Sequence, residues 1–350
     1  MSVLPALGGL DRDELVRLLA KTGEPAYRAD QVLQWFYGRR ALSFDEMSNL
    51  PSSLRARLAG QVRLFSTRVA ETRTDLDGTV KLVVALADGH SIESVMIPEG
   101  ARRTGCLSTQ VGCPVRCRFC ASGAHGLERN LDAAEIVEQA LHLVSTLPAD
   151  EHLTHLVFMG IGEGLLNLQS LVKAIRILNA PWGVHLGARR MTVSTVGIPG
   201  AVSALARVGL QVNLAISLHA PNDGLRARLI PYKGLARVDD LIDAAEDFYL
   251  ATGREATFEY VLLAGLNDSP ELARELARKI KPCHATVNLI PYNEVEGAPF
   301  STPSAEAVKT FRRTLEEGKV HVTMRRRHGT PIAGACGQLR LDVLKRHTDG

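Results

Sequence analysis

From residue 104 onward the chain alternates between short apolar runs and helical patterns, and this alternation limits its fold more than any other feature. Strand-like runs are expected at 105–108, 154–159, 190–194, 211–217, 256–262 and 285–290. Apolar residues at helical spacing predict helices at 133–146, 168–178, 199–208, 238–251, 270–280 and 303–317. Repeated strand–helix units of this kind require parallel strands covered by helices. On pattern alone the sheet is either doubly wound or curled into a barrel. In both arrangements the carboxyl ends of the strands gather at one mouth, where function is expected.

Cysteine is concentrated beside the first of these units. Cys106, Cys113, Cys117 and Cys120 fall within fifteen residues, and the last three are spaced C-x3-C-x2-C with Phe119 before the final one. One short loop of this kind can wrap a single metal centre. Iron–sulfur clusters are usually held by four cysteine thiolates, so a run that stops at three leaves one iron open for chemistry. A zinc site completed by Cys106 or His125 is the alternative, although structural zinc usually takes two separated ligand pairs and no second pair follows. A disulfide is disfavoured because nothing points to an oxidising compartment, and reduced cysteines imply a cytoplasmic protein.

The remaining bounds are consistent with a soluble enzyme. A chain of 350 residues with 45% hydrophobic content can bury one large core and support a smaller appendage. A net charge of +3 does not by itself announce nucleic-acid binding, yet leaves room for a local basic face. The N-terminus lacks a signal-peptide pattern, and no run is long and apolar enough for a membrane span.

Ahead of the alternating region, residues 1–61 read as a small helical unit. Asp11 and Glu14 form a capping-box pattern, and two of Trp35, Phe36 and Tyr37 are expected in its core. Residues 62–100 read as a three-stranded meander with a strand near 68–72 and a hairpin turning at Asp88-Gly89. Glu93 lies in the second hairpin strand, where an ordinary solvent-facing position is the simplest reading. Residues 101–350 form the main domain, with Gly160-Ile161-Gly162-Glu163 ending its second strand. Glycines there would let backbone approach a ligand, and Glu163 offers an acceptor for an ammonium group. Near the C-terminus, the arginines at 325–327 offer charge for phosphates, and a small-residue loop carries Cys336.

The C-x3-C-x-aromatic-C loop resembles that of radical S-adenosylmethionine (SAM) enzymes. Cys106, Arg129-Asn130-Leu131 and Ala335-Cys336-Gly337-Gln338-Leu339 narrow the resemblance to the RlmN/Cfr family of RNA adenine methyltransferases. It implies a partial, six-stranded (β/α)6 barrel with an N-terminal helical domain that helps hold RNA. It implies a [4Fe-4S] cluster on Cys113, Cys117 and Cys120, and SAM contacts from Gly162, Glu163, Ser194, Ser217, Leu218, His219 and Asn293. Two SAM molecules serve each turnover, one as methyl donor and one as radical source. Cys336 carries the methyl group, Cys106 resolves a protein–RNA adduct by forming a disulfide with Cys336, and Glu93 manages the proton at the base. The implied substrates are 23S rRNA and tRNA, with adenine C2 favoured and a Cfr-like C8 reaction the alternative. An electron donor such as flavodoxin or ferredoxin and a monomeric state complete the expectation. Gly164 and Pro331 depart from the family pattern. Without the resemblance, a metal-bearing RNA-binding protein that performs no chemistry would remain open, although it would need neither Cys106 nor Cys336.

Overall fold

The computed structural model describes residues 4–124, 126–295, 297–325, 328–329 and 331–339. His125, Arg326 and Arg327, considered above as a zinc ligand and as phosphate contacts, lie outside the described residues. An antiparallel meander comes first: β1 (Arg68–Thr74), β2 (Val80–Ala85), β3 (Ser91–Glu99) and β4 (Arg102–Cys106). A short ribbon, β5 (Gln110–Gly112) with β6 (Leu127–Asn130), brackets the cysteine loop. Six parallel strands follow: β7 (His155–Phe158), β8 (Met191–Thr195), β9 (Asn213–Ser217), β10 (Ala256–Leu262), β11 (Ala285–Pro291) and β12 (His321–Met324).

Among the described residues, one ten-stranded sheet runs β1-β2-β3-β4-β7-β8-β9-β10-β11-β12. From β4 onward every pairing is parallel and each new strand adds on the same side. A doubly wound sheet would reverse its order at a switch point. This one does not, and the result is the open barrel expected. All six anticipated strands are there, and β12 extends the parallel run by one. The meander is continuous with the barrel sheet through the pairing of Val95 with Cys106.

Helices α1 (Arg12–Ala20), α2 (Tyr27–Leu33) and α3 (Ser52–Gln61) build the N-terminal unit. The Asp11–Glu14 capping box forms as the sequence suggests. Phe36 and Tyr37 are buried, while Trp35 sits at the surface edge under Arg39. Helices α4 (Ala133–Val144), α5 (Leu168–Asn179), α6 (Ala201–Arg207), α7 (Asp223–Leu229), α8 (Val238–Thr252), α9 (Pro270–Ile280) and α10 (Ala305–Glu317) complete the chain. The helical unit rests on α4, where a Cβ on Gly9 would lie 2.9 Å from the Ala134 side chain. Glu138 of α4 clamps the linker, accepting the backbone N–H of Ser66 at 2.9 Å and of Thr67 at 2.8 Å.

Candidate active site

The cysteine loop is a hairpin tip. β5 and β6 fix its ends, the Cys113 N–H donates to Gly126 O at 2.8 Å, and Arg118 N–H donates to Leu229 O at 3.0 Å. Its inner face meets a cavity at the carboxyl ends of the parallel strands, about 970 Å³ counted with its open mouth. Cys113, Cys117 and Cys120 line it, and so do Cys336 and Gly337. Glu163, Ser194, Ser217, His219 and Asn293, all expected near SAM, line the same cavity. Residues drawn from six separate stretches of sequence therefore meet in one place.

The donor set fits an iron–sulfur cluster. Val115, Val196, Leu229, Ile230 and Val261 pack around the loop, and burial pushes the Cys113 thiol up to about 12 and those of Cys117 and Cys120 up as well. Thiols this desolvated stay protonated unless a cation displaces the proton, which is the service a metal centre performs. Asn293, also buried, has an Oδ1 with no hydrogen-bond partner among the described residues. Such an atom at the cavity wall suits a bound polar ligand.

The predicted ligand contacts differ in what they already do. Glu163 is buried and braces two strand ends: Oε1 accepts Leu165 N–H at 3.2 Å and Oε2 accepts Val196 N–H at 2.8 Å. Burial pushes its carboxyl upward. Ser194 Oγ donates to Phe158 O at 2.8 Å. His219 stands at a φ of 59°, its Nδ1 accepting Val261 N–H at 3.0 Å while burial pulls its imidazole down to about 3. It is a neutral, fixed ring. Leu218 does not line the cavity: its side chain belongs to the main core and its N–H donates to Glu259 O at 3.0 Å. The glycines of the Gly-x-Gly run act through packing. A Cβ on Gly160 would lie 2.8 Å from Leu107 backbone, and one on Gly162 would lie 2.7 Å from Gln110 Cβ. The chain approached closely there is the protein's own segment 107–110.

Cys336 is carried by a loop tied down at both faces. Ala121 N–H donates to Gly337 O at 2.7 Å, and Asn293 Nδ2 donates to Cys336 O at 3.4 Å. Beneath the loop, Cys106 is buried and its thiol is pushed up to about 12, chiefly by desolvation and then by the charge of Cys336. The alternation of β3 explains the position of Glu93. Ser94 points to α4, where its Oγ donates to Gln139 Oε1 at 3.0 Å. Glu93, Val95 and Ile97 therefore face the opposite side, where Val95 and Ile97 pack with Cys106. Glu93 is 1% exposed, so the solvent-facing reading of its position is wrong. It lies under the Cys336 loop, outside the open cavity.

Arg226 and Glu259 carried no recognisable sequence signal. Arg226 is buried and spends its guanidinium on the carbonyls of Leu218, Ala236, Val196 and Ser217. Glu259, buried in the cavity wall, accepts from Asn288 Nδ2 at 2.8 Å. Arg325, anticipated as a phosphate contact, is half-buried and lines the cavity with Cys336; Cys336, Glu259 and Cys106 hold its charge in place. Cys283 lies elsewhere, its thiol 3.8 Å from Ile242 O.

Comparison with known proteins agrees with this geometry. The model of the ribosomal RNA large subunit methyltransferase N-terminal domain matches residues 6–64, and that of the radical SAM superfamily matches 107–277. The probable dual-specificity RNA methyltransferase RlmN of Rhodopirellula baltica is 45% identical over 94% of this chain and 88% of its own. The dual-specificity RNA methyltransferase RlmN of Nitratidesulfovibrio vulgaris is 44% identical over 96% of this chain and 94% of its own. The chain belongs to the RlmN family. A crystal structure of a radical SAM methyltransferase from Sphaerobacter thermophilus superposes with a TM-score of 0.92 at 42% identity, over 96% of this chain and 99% of the other. That fold therefore accounts for nearly all of the chain. Among the described residues no helix is long and apolar enough to cross a membrane.

Proposed function

We propose that the protein is a radical SAM methyltransferase that methylates C2 of an adenosine in 23S rRNA and in tRNA. The observation that carries this reading is that Cys336 lines one cavity together with Cys113, Cys117 and Cys120, with Cys106 buried beneath its loop. Cys113, Cys117 and Cys120 would hold a [4Fe-4S] cluster, and Gly162, Glu163, Ser194, Ser217, His219 and Asn293 would surround SAM. When bound, the cluster and two SAM molecules per turnover supply the electron, the methyl group and the radical chemistry that an unactivated aromatic carbon requires.

The protein's own groups do the rest. Cys336 accepts the methyl group as a thiolate, with the guanidinium of Arg325 lining the same cavity. The carbon it carries becomes bonded to the adenine, joining RNA to protein. Glu93 takes the proton from the base. Cys106 attacks the Cys336 sulfur, breaks its bond to the transferred carbon and leaves a Cys106–Cys336 disulfide for reduction by thiol exchange. A donor of the flavodoxin or ferredoxin kind supplies the electrons. The target base must be unstacked to enter, which suits protein-free RNA loops.

The test is an anaerobic reaction of reconstituted protein with SAM, reductant and protein-free 23S rRNA or tRNA, with digested nucleosides read by mass spectrometry. The expected product is 2-methyladenosine. 8-Methyladenosine would move the protein to the Cfr-like reaction with the same mechanism. Cys106→Ala should accumulate crosslinked RNA, whereas Cys336→Ala should form neither adduct nor product. A Cys106→Ala protein that turns over normally without adduct refutes the resolving role.

A further inference from the structure

Two opposite charges are sealed inside the meander. Lys81 on β2 and Glu93 on β3 are each 1% exposed, and Lys81 Nζ lies 3.1 Å from Glu93 Oε1. Lys81 is opposite Val95 in the β2–β3 register, so it shares with Glu93 the sheet face that meets Cys106. The same Nζ donates to Ala333 O at 3.3 Å, in the loop that bears Cys336. Ala333 stands at a φ of 51°, which turns its carbonyl to this position. A second anchor lies one turn earlier, where Asp77 Oδ2 accepts Gly329 N–H at 3.3 Å and pairs with His328 Nδ1 at 3.1 Å.

The needs of the fold do not explain this arrangement. Desolvating two charges offsets most of what their attraction returns, and an apolar pair of similar volume would serve stability as well or better. What the pair does provide is chemical. A carboxyl group buried alone drifts to its neutral acid, which cannot accept a proton, whereas an ammonium in contact keeps it ionised. The ammonium's remaining donors tie that charge to the loop.

We infer that Lys81 is a positioning residue for the methyl-transfer reaction: it keeps Glu93 ionised and registers it against the docked Cys336 loop. This rests on the functional reading above. In the step served, the C–H bond at the substituted ring carbon of the RNA adduct breaks, the proton passes to a Glu93 oxygen, and the bonding pair stays in the purine ring. Lys81 touches neither RNA nor SAM and acts through its two partners.

The experiment is a double-mutant cycle with four proteins: wild type, Lys81→Met, Glu93→Gln and the double variant, with Lys81→Arg as the conservative change. Each is reconstituted and checked for iron content and SAM cleavage. Each then reacts with protein-free 23S rRNA while S-methylation of Cys336 and protein–RNA adduct are followed separately. Lys81→Met is expected to methylate Cys336 but resolve the adduct about 100-fold more slowly, the scale of a lost general base. Lys81→Arg should recover most of that rate. In the Glu93→Gln background, Lys81→Met should cost nothing further. Equal slowing by Lys81→Met in both backgrounds overturns the inference and leaves the functional reading standing. The comparison of Glu93→Gln with the double variant strands no buried carboxylate, so it decides the question even where Lys81→Met alone does not fold. A wild-type protein that cleaves SAM yet forms neither S-methylated Cys336 nor adduct overturns the functional reading itself.

Discussion

Replacing Arg226 with methionine removes a side chain that joins the ends of β8 and β9 to the loop before α8. Its Nε donates to Leu218 O at 3.2 Å, Nη1 to Ala236 O at 3.0 Å, and Nη2 to Val196 O and, at 3.4 Å, to Ser217 O. Arg226 is 2% exposed, so water cannot take over these acceptors without opening the cavity wall. A hydrogen bond from a charged donor contributes about 1.5–3 kcal/mol, and a stranded buried acceptor costs a comparable amount. Four such bonds on one cation do not add, and the native arginine already bears a desolvation cost that draws its guanidinium down to about 10. The expected net loss is therefore about 3–5 kcal/mol, the range for breaking a buried polar network. Urea unfolding followed by circular dichroism should show a lower midpoint with an unchanged slope. Hydrogen exchange should show the amides of residues 196–197 and 217–219 opening first. Arg226→Lys, with one compact donor group in place of a fork, should fall between the two. An Arg226→Met protein within about 1 kcal/mol of wild type, a shift ordinary for surface changes, would refute the claim that this side chain ties the strand ends together.

Other perturbations follow from single sites. Burial pulls the His142 imidazole down to about 4, so the unfolded chain binds a proton there while the folded protein does not. Stability should fall as pH drops from 6.5 to 4, with up to about 3 kcal/mol from this residue, and His142→Gln should flatten that part of the profile. Gly162→Ala sets a methyl group against Gln110 and Thr109 at a φ of 117°, and should destabilise the protein by about 2–4 kcal/mol in urea unfolding. Asp132→Ala removes the capping box of α4 and should cost about 1 kcal/mol by the same assay. Cys283→Ser should leave adduct formation and product yield unchanged, since its thiol meets Ile242 O and Glu246 and does not line the cavity.

The strand and helix pattern was legible because each anticipated parallel strand carries buried apolar residues and the helices between them bury apolar residues at helical spacing. β12 escaped notice because His321–Met324 is four residues long and alternates weakly beside a basic segment. The seven-residue α7 is equally brief. The three cluster cysteines announce themselves by spacing within one loop. Glu93 does not: nothing in β3 distinguishes an inward carboxylate from an outward one until Ser94 is seen bonded to α4. Arg226 and Glu259 looked like ordinary charges because their partners are backbone carbonyls or a side chain on the neighbouring strand. Leu218 was expected among the SAM contacts as a neighbour of Ser217 and His219, yet alternation along the chain turns its side chain into the core. The purpose of Gly160 and Gly162 was also hidden, since only the folded chain brings segment 107–110 against them.

The loop that carries Cys336 is fastened to parts of the chain made long before it: Ala333 to Lys81, 252 residues away, and Leu339 to Ser122, 217 residues away. During synthesis the helical unit, the meander and most of the barrel can settle while this final clasp does not yet exist. For that interval the sides of Cys106 and Cys120 that the loop comes to cover stay open. The order of translation thus leaves the cysteine loop accessible while most of the chain folds, and closes it only when residues 333–339 arrive. The nascent chain is open for assembly first and becomes an enzyme last.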